Sequence, residues 1–264
     1  MLRCFFVLVL AAMQAPAATK LVVTVVEQKS GKPVTDIKAS EFTVLDDGTP
    51  RKVEAAEFSA GTIDVMLLLD TSLVGEMVRP VASSLIEQLQ RKEQMAVVSF
   101  HSSADLIQDF TSSHELLQRA VGSVRYGNTP HLLDALYAAI DGGFESSTFR
   151  RVLVILTTGY EGSSRVGERE VLKLARRNSV SIFPVYVAGA EKSMFENLAR
   201  QTGGASFNLR DMHKTLEGAP GARIFEVLRS HYTLTVQRNL SLGEKLKVAV
   251  QRPAKLSVSA LSLE

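Results

Sequence analysis

The sequence predicts an α/β fold, with a doubly wound, mostly parallel sheet inserted in a small β module built from the two ends of the chain. Three observations carry this expectation. From Thr62 onward short apolar runs alternate with helical patterns. Those runs are continuously apolar, as parallel strands covered on both faces require. Strand-like segments then flank the alternating unit on both sides, each too short to bury a core alone.

The elements follow in order. "LVVTVVE", Leu21 to Glu27, is β-branched and continuous. "FTVLDDGTPRKVEAAEF" reads as two strands around an Asp47-Gly48 turn, and Gly31 and Pro33 mark the loop before it. "IDVMLLLD", "MAVVSF", "RVLVILTT" and "SIFPVYVAG" supply the parallel strands. "ADLIQDF", Ala104 to Phe110, follows its predecessor too closely for a helical crossover, so it should pair antiparallel at an edge. Met77, Val78, Val81, Leu85, Ile86 and Leu89 keep a helical period. Ser112 and Glu115 have the spacing of a capping box, and Thr129 before Pro130 reads as the N-cap of a helix with stripe Leu132, Leu133, Leu136, Tyr137 and Ile140. Further helices are expected over 164–177 and 191–200. After "GAPGA" and a short helix "IFEVLR", the chain returns to strands in "HYTLTVQ", "EKLKVAVQ" and "KLSVSALSL".

Residues 1–17 read as an export signal, with one arginine, an apolar run from Cys4 to Met13 and Ala15-Pro16-Ala17 as a cleavage site, so the expectation is a secreted or periplasmic protein. The remaining boundaries are an N-terminal β segment at 18–61, the α/β domain at 62–217, and a linker helix with a C-terminal β segment at 218–264. No later segment is apolar enough for a transmembrane helix. Cys4 is the single cysteine, so the exported form would have no disulfide and no thiolate site. With 22% charged residues and a net charge of +2, the chain lacks the basic excess of a nucleic-acid binder.

In an open parallel sheet, ligands bind beyond the carboxyl ends of the strands. The loops there are "DTSLVGE", "GNTPHLLDAL" and "TTGYEGSS". No G-x-S-x-G elbow, dinucleotide fingerprint or phosphate loop occurs, and the five histidines have no metal-ligand spacing. An enzyme is therefore not expected. A hydrolase would need His101 or His131 beside Ser72.

The Asp-x-Ser after the first parallel strand, the Gly-x-Thr before a Leu/Ala-rich helix and the Thr-x-Gly loop resemble von Willebrand factor A domains. The flanking segments resemble those of secreted bacterial proteins related to that family. The resemblance implies a protein-binding module whose metal-ion-dependent adhesion site holds Mg²⁺ with an Asp-x-Ser-x-Ser loop, a distant Thr and a last-loop Asp. Asp70, Ser72 and Thr129 match that set. Val74 stands in place of the second serine, and Thr158 in place of the last aspartate. Mg²⁺ prefers six hard oxygens and leans on carboxylates. The expectation is thus a degenerate site without metal or other cofactor, which binds an unidentified protein partner through Asp70, Ser72, Thr129, Thr158 and Glu161. The alternative is a Mg²⁺-dependent receptor in which Glu76 or Glu161 supplies a missing ligand.

Overall fold

The computed structural model describes residues 18–215, 219–237, 240 and 246–263. The expected export signal at 1–17 and the glycine at the start of "GAPGA" lie outside the described residues. Thirteen strands appear among the described residues, in three sheets.

The central sheet contains β5 (Ile63–Asp70), β6 (Gln94–Phe100), β7 (Ala104–Thr111), β8 (Arg150–Thr157), β9 (Val180–Tyr186) and β10 (Phe207–Asn208). Their order is β10-β9-β8-β5-β6-β7, and every pairing is parallel except β6 with β7. The edge strand is thus antiparallel, as its short connection requires. Helices cover both faces. α1 (Arg79–Ile86), α2 (His114–Ser123) and α7 (Gly221–Arg229) share one core with Val65, Leu67 and Val154. α3 (Leu132–Ile140), α4 (Glu168–Arg177) and α5 (Lys192–Gln201) enclose the other with Met66, Leu68 and Ile155. β5 is buried at all eight positions, which explains why its sequence does not alternate. The remaining helix, α6, spans Leu209–Thr215.

From β5 the chain first builds outward to β6 and β7, then returns to β8 on the opposite side. That reversal makes the carboxyl ends of β5 and β8 the switch point of the sheet, the place where loops diverge and leave room for a ligand.

Strands from both chain ends form the other two sheets. β1 (Ala18–Glu27), β4 (Val53–Ala60), β11 (Ser230–Gln237) and β13 (Leu256–Leu263) run β13-β1-β11-β4, all antiparallel. β2 (Phe42–Asp46), β3 (Thr49–Arg51) and β12 (Lys247–Val250) run β12-β2-β3. The Asp47-Gly48 turn joins β2 to β3 with φ of 49° and 78°, both in the left-handed region that a two-residue hairpin demands. The expected second strand is in fact two. β3 ends at Arg51, and β4 starts at Val53 and crosses to the other sheet. Tyr232 ties the sheets together: Ile37 N donates to its hydroxyl at 3.0 Å, the hydroxyl donates to Val34 O at 2.9 Å, and Phe42 packs edge-on against its ring.

The β module joins the α/β unit beneath the sheet, away from the switch point. Thr24 Oγ1 donates to Gly203 O at 2.7 Å, and Ser259 Oγ donates to Gly204 O. Arg229, at the end of α7, grips the buried Glu93 with two nitrogens at 2.8 and 2.6 Å. Next to it His231 is held below its ordinary pKa, at about 4, by burial first and then by the Arg150 charge. The unfolded chain therefore takes up a proton near pH 6.5 that the folded chain refuses. Stability is complete above that pH and falls as pH drops from 6.5 toward 4, by about 1–2 kcal/mol after allowance for the partial exposure of the ring. Urea midpoints at pH 7 and 4.5 should show this loss, and His231→Gln should flatten it.

Three helix starts differ from the sequence expectation. Ser113, not Ser112, caps α2, its hydroxyl accepting from Leu116 N at 3.3 Å, while Glu115 pairs with Arg119 one turn on. α3 begins at Leu132, beyond Thr129 and Pro130, and α4 begins at Glu168, not Ser164. The last two have one cause, which lies in the functional loops.

Candidate functional site at the strand tips

Asp70 ends β5 and is fully buried. The chain turns immediately after it. Thr71 N and Thr71 Oγ1 both donate to Phe100 O, at 2.8 and 3.0 Å, which ties this tip to that of β6. Gly75 then passes close under the strand end: a Cβ there would lie 2.3 Å from the Asp70 carbonyl oxygen. Only glycine allows this path, so the loop is clamped over the carboxylate it encloses.

That carboxylate is heavily used within the chain. Oδ1 accepts from Ser72 N at 2.9 Å. Oδ2 accepts from Thr157 Oγ1 at 2.8 Å, and from Thr158 N and Thr158 Oγ1 at 3.0 Å each. Four donors from two adjacent strand ends thus converge on one buried acid. Asp70 and Thr158 are brought together as a hydrogen-bonded pair. Thr157, which the sequence did not single out, completes the group.

The loop after β8 reaches across to the start of α3. Gly162 forms a bridge with His131, at φ of 84°, and a Cβ there would lie 1.6 Å from Pro130 O. Leu132 N donates to Glu161 O at 3.0 Å, and Ser164 Oγ accepts from Leu133 N at 3.0 Å and Asp134 N at 3.3 Å. In return Asp134 Oδ1 accepts from Arg165 N and Val166 N at 2.9 and 2.8 Å. The unpaired N–H groups of α3 are therefore satisfied from another loop. This is why Thr129 does not cap the helix, and why Ser164 is no helix start. Thr129 itself is exposed, outside the buried Asp70 group. Glu161 is half-buried, with Oε1 accepting from Ser164 N at 3.3 Å, and Glu76 is exposed on the first loop.

Both oxygens of Asp70 already accept hydrogen bonds, Val74 brings no oxygen, and no group of three His, Cys, Asp or Glu side chains among the described residues is placed to hold a metal. A site built for Mg²⁺ would turn several anionic or hydroxyl oxygens toward one point. Ser72 Oγ is buried without a hydrogen-bond partner. Tyr126 Oη is buried and unpartnered as well; burial, with Glu76 and Asp70 adding to it and Arg79 opposing, pushes its pKa up.

The loops above it carry exposed apolar side chains. Leu73, Met77, Tyr160 and Val74 are 78%, 63%, 53% and 50% exposed, on the loops that follow the neighbouring strands β5 and β8. They are half of the large exposed hydrophobic side chains among the described residues, so the concentration is local, not a general property of the surface. Met77 was expected on the buried stripe of the following helix. Instead Gly75–Val78 forms a 3₁₀ turn, whose tighter winding places Val78 inward and Met77 outward. Sequence periodicity has no means of showing that change of winding.

His101 Nδ1 lies 2.9 Å from Ser102 Oγ, and His131 Nδ1 lies 3.8 Å from Asp134 Oδ2, so neither ring engages Ser72.

The fold agrees with what comparison finds. Among solved structures, the chain superposes on proximal thread matrix protein 1 from the mussel byssus, a structure described with a zinc-occupied MIDAS motif, at a TM-score of 0.56 and 14% identity. The match covers 70% of this chain and 50% of that one, so the chain spans about half the length of the mussel protein. An aerotolerance-related membrane protein from Bacteroides fragilis matches over 64% of this chain and all of its own, at 13% identity and a TM-score of 0.47. Such identities speak to fold alone. No curated protein matches the chain in sequence. The model of the von Willebrand factor type A domain matches residues 64–219, more than half of the chain, with Asp70, Thr129 and Thr158 inside it, and the chain belongs to that family.

Proposed function

We propose that this chain is an exported, non-enzymatic protein-interaction module that binds its partner through the strand tips without a metal ion. The observation that carries the reading is the cluster of Leu73, Val74, Met77 and Tyr160, exposed together above a buried acid whose lone pairs are turned inward. A metal-centred face would present open coordination positions. This one offers apolar side chains, the kind of surface that supports a desolvated contact centre. Asp70, Ser72 and Thr158 act from beneath by holding the loops, while Thr129 and Glu161 serve at the rim. Export rests on the N-terminal sequence. Among the described residues, no helix is long and apolar enough to cross a membrane.

Capture from the cell envelope of the source organism tests this. The full chain should retain a specific partner in EDTA as well as in Mg²⁺. A Leu73→Asp/Met77→Asp variant, substituted only at exposed positions, should lose at least tenfold of that binding while keeping its melting temperature within a few degrees. Capture that depends on Mg²⁺, or that survives the double substitution, contradicts the proposal.

A further inference from the structure

A second constellation lies at the opposite end of the sheet, where the amino ends of β8 and β9 meet the four-stranded β sheet. A cavity of about 290 Å³ opens there, lined by Arg150, Arg151, Ser179, Ser181 and His231. Val22, Phe149, Leu261 and Leu263 supply its apolar side, and Thr233 completes the lining.

The charge in this crevice is unbalanced. Among the described residues Arg150 donates only to neutral acceptors: Leu228 O at 2.7 Å, Ser181 Oγ at 3.2 Å and Gly203 O at 3.5 Å. Its Nε is buried with no partner, and burial lowers its pKa to about 10. Arg151 donates to Asn178 O at 3.1 Å. Asp64 stands opposite Arg151 in the strand register but turns Oδ2 to Ser147, Thr148 and Phe149, and it ion-pairs with neither arginine. Partly buried guanidinium groups without a carboxylate are uncommon, since desolvation penalises the charge and pairing ordinarily offsets it.

We infer that this crevice binds a small organic monocarboxylate with an apolar body. Arginine presents parallel N–H donors that match the two oxygens of a carboxylate. The hydroxyls of Ser179 and Ser181 add neutral donors beside them. Val22, Phe149, Leu261 and Leu263 favour a ligand with a short hydrocarbon or ring over a fully hydrated ion such as phosphate. The volume is at the small end of ligand pockets, enough for a benzoate-sized molecule. This site is separate from the strand-tip surface and does not rest on the function proposed for it.

Titration calorimetry on the full chain tests the assignment, with benzoate, its neutral analogue benzamide and inorganic phosphate as probes. Benzoate should bind at millimolar concentration, with benzamide and phosphate each at least tenfold weaker. Arg151→Gln, which removes one hydrogen bond to a carbonyl, should fold and weaken benzoate at least tenfold. Arg150→Gln should weaken it further, although it also releases the end of α7. Equal binding of benzoate and benzamide overturns the inference, as do phosphate binding at least as tight as benzoate, full affinity in a folded Arg151→Gln, or no benzoate binding at all.

Discussion

Replacing Asp70 with alanine is expected to lower the stability of the chain by about 3–5 kcal/mol, in EDTA and in Mg²⁺ alike. The substitution strands Ser72 N, Thr157 Oγ1, Thr158 N and Thr158 Oγ1, four donors that now converge on one buried carboxylate. Each buried donor left without an acceptor costs about 1–3 kcal/mol, reduced where a hydroxyl rotates to another acceptor or water enters the space. Thr157 has little such freedom, since its Oγ1 also accepts from Gly159 N at 3.1 Å, which restrains its rotation. The backbone N–H groups of Ser72 and Thr158 have none. For a chain of this size the loss corresponds to a fall of roughly 2–4 °C in melting temperature per kcal/mol. A metal-ligand role makes the opposite forecast: Asp70→Ala would then cost little in EDTA, because the acid would already lack its ion. A melting temperature unchanged by the substitution in EDTA would remove the structural role argued here.

The same group shows where sequence reading reaches its limit. The sheet was legible because burial on both faces writes itself as unbroken apolar runs, and the Asp47-Gly48 hairpin because its turn needs two positive φ angles. The antiparallel edge strand β7 followed from the length of one connection. Asp70, Ser72 and Thr158 were visible as family positions. Their use was not. Thr157 meets Asp70 across 87 residues of chain, and a threonine ending a buried strand looks like any other. Helix starts failed for a related reason. Thr129-Pro130 carries a local capping signal, but Ser164 and Glu161 O satisfy α3 from 30 residues away, and the local signal goes unused. Met77 was misplaced because a 3₁₀ turn shifts the phase of the apolar stripe before α1 begins.

Substituting Val74→Ser together with Thr158→Asp is expected to make stability depend on Mg²⁺, which it does not in the parent chain under the reading proposed here. Each change acts on a defined feature. Thr158→Asp removes the hydroxyl that donates to Asp70 Oδ2 and sets a second carboxylate beside the first. Two adjacent acids at a buried strand tip repel, so the variant without metal should be less stable than the parent. Val74→Ser places a hydroxyl on the loop that already holds Ser72 Oγ buried and without a partner. A divalent ion would relieve the repulsion and engage that orphan oxygen at once. At free Mg²⁺ near 100 times its dissociation constant, the gain is about 2.7 kcal/mol, or several degrees of melting temperature. Neither single substitution should respond as strongly: Val74→Ser adds no charge, and Thr158→Asp leaves an exposed valine where an oxygen is needed. If the double variant melts at the same temperature with and without Mg²⁺, the clamp of Gly75 and the Thr157 hydrogen bond have fixed Asp70 in a geometry that no longer admits an ion. The loss of metal binding would then lie in the backbone of the loop as well as in its side chains.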